Sequence, residues 1–108
     1  MKIIIVSGGF DPLHSGHISY LKSAKERGQK LIVLLNSDQW LIKKKSKFFM
    51  PFDERKEILK SLKVVDEVYG FEDDTKGSCS KGLEMLKARY PEDDIYFANG
   101  GDRNEVNI

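Results

Sequence analysis

The stretch Ser7-Gly8-Gly9-Phe10-Asp11-Pro12-Leu13-His14-Ser15-Gly16-His17 constrains this chain more than any other. It follows an apolar run from Ile3 to Val6 and precedes a helical pattern, so it falls where a first strand gives way to a first helix. Open α/β sheets bind their ligands at that C-terminal edge. A helix starting near Ser15 turns its first amides, with their partial positive charge, outward. Both histidines of the chain, His14 and His17, fall beside those amides. Imidazoles and helix amides together make a compact anion-binding corner suited to phosphates.

The remaining pattern sets that corner in a sheet. Lys2 to Val6 reads as a buried strand, β-branched and nearly continuous. A helix is expected over Ser15 to Arg27, with Ile18, Leu21 and Ala24 at helical spacing and Gly28 where a C-cap belongs. Leu31 to Leu35 is a second apolar strand and completes a βαβ unit. Asn36-Ser37-Asp38 ends it on the ligand edge. A short helix over Gln39 to Lys45 and a basic loop to Phe49 follow. Pro51 opens the next helix, with Asp53 and Glu54 in its first turn and Ile58, Leu59 and Leu62 on its apolar face. A short strand surrounds Glu67-Val68-Tyr69, and Lys81 to Tyr90 reads as a helix with Leu83, Met85 and Leu86 partly buried. Ile95 to Ala98 is a fourth strand. The alternation predicts one α/β domain over residues 1–108, an open and mostly parallel sheet with helices on both faces. No helix or strand is expected from Asn104 to Ile108.

At 108 residues the chain is small but long enough for one core. A net charge of +1 hides Lys43-Lys44-Lys45 and Lys47, set against Glu72-Asp73-Asp74. That balance gives no reason to expect nucleic acid or a membrane as partner. The lone Cys79 rules out an internal disulfide, and a cytoplasmic setting is expected. No apolar run approaches the roughly 18 residues of a spanning helix, and the start of the chain lacks a signal-peptide pattern.

Gly9-Phe10-Asp11 followed by His14-Ser15-Gly16-His17 resembles the nucleotide-binding signature of the cytidylyltransferase-like nucleotidyltransferases. These include glycerol-3-phosphate cytidylyltransferase and the adenylyltransferase domain that makes nucleotide-activated heptose. An isolated H-x-G-H recurs by chance; after a first strand, with G-F-D upstream, it is specific. The resemblance extends over nearly the whole chain, through Asp53-Glu54-Arg55, Val65-Asp66-Glu67-Val68 and Gly100-Gly101-Asp102-Arg103. It implies a Rossmann-like fold and transfer of a nucleoside monophosphate from CTP or ATP to a small phosphorylated alcohol or sugar. Pyrophosphate would leave, and magnesium would accompany the nucleotide. In the family the chain continues to another strand and a serine- or threonine-rich phosphate motif, so the C-terminal part of the fold is expected to be missing here. Homodimers are common in the family, which makes one an expectation for this chain.

The same resemblance assigns residues. His14, His17 and Lys44 are the expected catalytic groups, contacting the triphosphate and stabilising the transition state. Gly8, Gly9, Phe10, Asp11 and Gly16 are expected around the nucleotide, with Arg55 nearby and Asp38 on the acceptor. Gly100, Gly101 and Asp102 are expected beside the base and ribose. Plainer readings stand next to these: Phe10 as a core aromatic, Asp11 as a turn residue, Arg55 in an ion pair on a helix surface, Asp38 as a strand terminator. Lys43, Lys45 and Lys47 read as solvated, and the Val65–Val68 segment as structural. Gly9 departs from many cytidylyltransferases, which carry threonine there, and Ser46 stands where some members have a second lysine.

Nucleotidyl transfer needs positioning and electrostatics, with no covalent nucleophile, and the sequence offers no convincing one. The chain has no G-x-x-x-x-G-K-[ST] and no G-x-G-x-x-G, which argues against a P-loop ATPase and a dinucleotide-binding protein. No zinc-ligand spacing is present. Two other readings stay open: a non-catalytic nucleotide-binding or regulatory module of the same fold, and part of a synthetase that adenylates a carboxylate.

Overall fold

A computed structural model describes residues 1–73, 78–98 and, for the backbone, 105–107. Nine elements follow one another: β1 (Lys2–Gly8), α1 (Ser15–Glu26), β2 (Lys30–Leu35), α2 (Asp38–Lys45), α3 (Phe52–Lys60), β3 (Glu67–Gly70), α4 (Ser80–Arg89), β4 (Asp94–Ala98) and β5 (Glu105–Asn107). They form a five-stranded sheet in the order β3-β2-β1-β4-β5. The first four strands in that order are parallel. The mostly parallel α/β sheet read from the sequence is therefore present.

Period-two alternation in the central strands decides which helix covers which face. Ile4, Val6, Leu31, Val33 and Leu35 point to one side and pack with Leu21 and Ala24 of α1 and Leu59 of α3. Ile3, Ile5, Ile32 and Leu34 point to the other and pack with Leu86 of α4 and Ile95 of β4. Every residue from Ile3 to Val6 and from Leu31 to Leu35 is fully buried. Each such aliphatic side chain contributes about 1.5–3 kcal/mol by leaving water. The continuous apolar runs, without polar alternation, are the signature of strands covered twice.

Three local expectations are corrected. The backbone at Glu105–Asn107 forms β5, antiparallel to β4 with Phe97 opposite Val106, where no strand was expected. Pairing there gives the outer edge of β4 hydrogen-bond partners that an open edge would lack. Met85 is exposed, while Gly82 and Leu86 take the inward places on α4; a side-chain carbon at Gly82 would stand 3.0 Å from Leu34 and Phe71. Gly28 is needed less as a cap than for close approach, since a Cβ there would meet Ile4 at 2.7 Å and the Lys2 carbonyl at 3.0 Å.

Asp66 and Glu67 bear out the structural reading of their segment. Asp66 accepts hydrogen bonds from the Leu31 amide and Lys25 Nζ. Glu67 accepts from Lys30, Tyr69 and Tyr90.

Candidate active site

The histidine corner expected from the sequence forms at the exit of β1. His14 is the N-cap of α1 with an extended backbone, φ −140° and ψ 177°. Its Nδ1 accepts from the Gly16 amide at 3.1 Å, and the His14 amide donates to His17 Nδ1 at 3.1 Å. Two histidines thus form a reciprocal capping box, a role usually taken by serine and glutamate. The rings stack with centroids 3.9 Å apart, and Phe10 meets His17 edge-on at 5.1 Å. Gly16 is required by this packing, because a Cβ would lie 2.9 Å from His14 Cε1.

The hydrogen bonds fix the tautomers. With both Nδ1 atoms occupied as acceptors, each neutral ring carries its proton on Nε2. Burial, with the neighbouring His14 adding to it, pushes the His17 pKa below the ordinary histidine value. His17 is thereby kept neutral and presents one N–H donor.

Three adjoining clefts surround this corner. One of about 450 Å³ is lined by Ser7, Gly8, Gly9, Phe10, His14, Gly16, His17 and Tyr20. A second, about 300 Å³, shares the two histidines and reaches Trp40, Leu41, Lys44 and Lys45. A third, about 400 Å³, joins Ser7 and Gly8 to Asn36, Trp40, Lys44, Ser78, Cys79 and Phe97. Lys44 borders the last two, with its ammonium 4.6 Å above the Trp40 ring.

The structure brings His14, His17, Lys44, Gly8, Gly9 and Gly16 to these clefts. Phe10 also borders them, but 95% of its surface is buried and its backbone is left-handed at φ 50°, so it works mainly as a core prop for His17. Gly100, Gly101 and Asp102 lie outside the described residues.

Asp11 borders the second cleft, but its carboxylate, like the side chains of Arg55 and Asp38, is engaged within the protein. The Asp11 carboxylate has no exposed surface and accepts from the Phe49 and Met50 amides, each at 2.7 Å, with Lys45 Nζ 3.1 Å away. Burial opposes its ionisation, but those two amides and the Lys45 ammonium outweigh it and hold the carboxyl below its usual range. Arg55 is fully buried instead of lying on a helix surface. Its Nη2 donates to Asp38 Oδ1 at 2.7 Å, and three other donors reach backbone carbonyls of Gly9, Asn36 and Met50. Asp38 is paired with that guanidinium and keeps its side chain about one-third exposed. Lys45, expected to be solvated, donates to the Asp11 carbonyl at 2.6 Å as well as pairing with its carboxylate.

Sequence reasoning also missed Trp40, Asn36 and Tyr20 as lining residues. Trp40 carried a signal: a large aromatic one helical turn before Lys44 stacks naturally beneath it. The replacement of the family threonine by Gly9 has a steric explanation. A Cβ at Gly9 would stand 2.7 Å from Leu41 Cδ2, so Leu41 fills the space a threonine would use.

A parallel sheet whose central strand ends in a glycine turn, backed by a helix N-terminus and paired imidazoles, defines an α/β protein of the doubly wound, Rossmann-like class. The chain belongs to the cytidylyltransferase-like family, whose model matches residues 5–105. It is 37% identical to the bifunctional protein HldE of Erwinia tasmaniensis over 99% of the chain, and 42% identical to that of Shigella sonnei over 94%. It spans only about a quarter of the length of those relatives, 25% and 24% respectively. Among solved structures it is similar to a lipopolysaccharide core biosynthesis protein from Thermoplasma volcanium, with a TM-score of 0.71 and 30% identity, covering 81% of this chain and 69% of that one.

Proposed function

We propose that the chain transfers a nucleoside monophosphate from CTP or ATP to a small phosphorylated alcohol or sugar and releases pyrophosphate. The observation that carries this reading is the histidine pair held by its Nδ1 atoms. Rings fixed in that way are N–H donors and offer no free nitrogen to take up a proton. They suit a reaction in which charge must be stabilised and no base is required. A phosphorylated acceptor meets the second condition, because a phosphate monoester with a pKa near 6 is already largely dianionic at neutral pH.

In the proposed reaction, an acceptor phosphate oxygen attacks the α-phosphorus in line. The bond from that phosphorus to the bridging oxygen breaks, and pyrophosphate leaves with the electron pair. The Nε2–H groups of His14 and His17 stabilise the oxygens that gain charge, and the Lys44 ammonium faces the triphosphate from α2. The cleft between α2 and β4, with Trp40 and Phe97 on its walls, is large enough for a small polyol or sugar phosphate. The similarity to a lipopolysaccharide core biosynthesis protein favours a sugar.

Magnesium belongs to this proposal only as the companion of the triphosphate. Among the described residues no group of three His, Cys, Asp or Glu is placed to hold a metal ion, and the carboxylates of Asp11 and Asp38 already have partners. An ion that keeps its waters and binds chiefly through phosphates fits such a site. The supply of nucleoside triphosphates places the activity in the cytoplasm. No helix among the described residues is long and apolar enough to cross a membrane.

Calorimetric titration with CTP and ATP in the presence of magnesium tests the reading, followed by pyrophosphate release with a panel of sugar and polyol phosphates. Binding of one nucleotide that disappears in H14A/H17A supports it. Absence of binding to either nucleotide rejects it, and binding without release from any acceptor leaves a nucleotide-binding module.

A further inference from the structure

We propose that Arg55 and Asp11 are positioning residues that suspend α2 from both ends and thereby set where Lys44 stands relative to the histidine pair. The inference deepens the reading above and rests on it for the contact between Lys44 and the triphosphate.

The first support is at the start of α2. Asp38, its first residue, is held by Arg55 Nη2 at 2.7 Å. The same guanidinium takes the carbonyls of Gly9 and Asn36 on Nη1, both at 2.8 Å, and of Met50 on Nε at 2.9 Å. One rigid planar fork therefore ties together the phosphate turn after β1, the exit of β2, the first residue of α2 and the loop entering α3. A buried cation is tolerable only when its donors are satisfied, and here four of them are spent on framework atoms. An ammonium cannot replace them, since it lacks the planar fork.

The second support is at the other end of the helix. Lys45, the last residue of α2, is bonded to Asp11 through both the carbonyl at 2.6 Å and the carboxylate at 3.1 Å. Asp11 also receives the Phe49 and Met50 amides, so the chain leaving α2 is fastened to the turn before α1. Between the two anchors Leu41 packs into the space beside Gly9. Lys44 is left as the cation next to the anchored end, bordering the clefts that the histidines and Trp40 share. The Arg55 guanidinium and the Asp11 carboxylate have no exposed surface, so although Asp11 and Lys45 border the second cleft, the two buried charges act on the ligand through the position of Lys44.

A double-mutant cycle on nucleotide affinity tests this, using MgATP and MgCTP as the probes and calorimetry on wild type, K44A, R55K and R55K/K44A. Loss of a hydrogen bond to a charged group should weaken binding by about tenfold or more in K44A, and R55K should approach that loss by displacing the lysine. The double variant should then be little weaker than K44A, because both changes remove one contact. Losses that multiply, or an R55K protein that binds as wild type, overturn the proposal. If R55K does not fold, K45M and K45M/K44A run the same cycle from the other anchor, where the side chain is one-third exposed. If wild type binds neither nucleotide, the nucleotide reading fails separately, and amide exchange decides the suspension. Faster exchange at Phe49, Met50 and along α2 in R55K or K45M sustains it, and unchanged exchange overturns it.

Discussion

The two ends of the sheet use similar charged groups to opposite effect. At the N-terminal edge, Glu67 at the start of β3 accepts from Lys30 Nζ at 2.5 Å, from Tyr90 and from Tyr69. Lys30 in turn donates to the Tyr90 hydroxyl at 3.3 Å. The polar groups there satisfy one another. At the C-terminal edge, Arg55 and Asp11 spend most of their hydrogen bonds on backbone, and the cations and donors nearest the clefts keep capacity for a ligand. Among the described residues Lys44 has an aromatic face beneath it and no carboxylate partner. A closed network stabilises, whereas a network closed only around its framework leaves chemistry over.

The largest expected effect breaks the open end. H17A should lower nucleotidyl transfer by about a hundredfold to a thousandfold, the usual cost of one donor to developing charge, while circular dichroism shows the helices intact. A near-normal rate would remove His17 from the chemistry. H14A should add a loss of about 1 kcal/mol in thermal or urea unfolding, because the N-cap goes with the donor.

Next in size is a steric test of the same edge. G9T should cost about 1–3 kcal/mol of stability by forcing Leu41 aside, and L41A in the same chain should recover part of that loss. Urea midpoints of the two variants decide between this and a threonine that is simply tolerated.

At the closed end, E67Q should cost about 1.5–3 kcal/mol for its charged hydrogen bonds. Burial alone would raise the Glu67 pKa, but Lys30, Tyr69 and Tyr90 outweigh it and bring it to about 2, against an ordinary 4.5. A depressed folded-state value means the contribution is whole above about 4.5 and fades as pH falls towards 2. Melting temperatures across that window should drop more steeply for wild type than for E67Q. Parallel curves would show the network to be inert.

The smallest effect concerns His17. Its pKa, lowered by burial and by the neighbouring His14, means the neutral donor persists to lower pH than in an ordinary histidine. Nucleotide binding should therefore hold through mildly acidic pH and weaken below it, because a protonated Nδ1 can no longer accept the His14 amide. An NMR titration of the ring protons checks the order of events.

Much of the fold was legible because buried parallel strands announce themselves: Ile3 to Val6 and Leu31 to Leu35 leave no other reading. The corner was legible because both histidines sit at one strand-to-helix junction. The braces were not. Arg55 falls beside acidic residues on a helical pattern, and nothing local distinguishes a buried guanidinium from an exposed one. Its partners at Gly9, Asn36 and Asp38 are brought to it only by the crossing of the chain. Lys45 was hidden in a run of lysines whose members differ only in helical phase. Leu41 could be read as apolar but not as the occupant of the space beside Gly9.

β1, like β2, contributes to both cores, and it lies at the centre of the sheet, paired with β2 on one side and β4 on the other. The turn that carries the histidines grows directly from it. Donors mounted on the most constrained part of a domain need no rearrangement when charge develops, so the electrostatic cost of orienting them is met during folding and not during turnover. A substrate arriving here would find a preorganised dipole field.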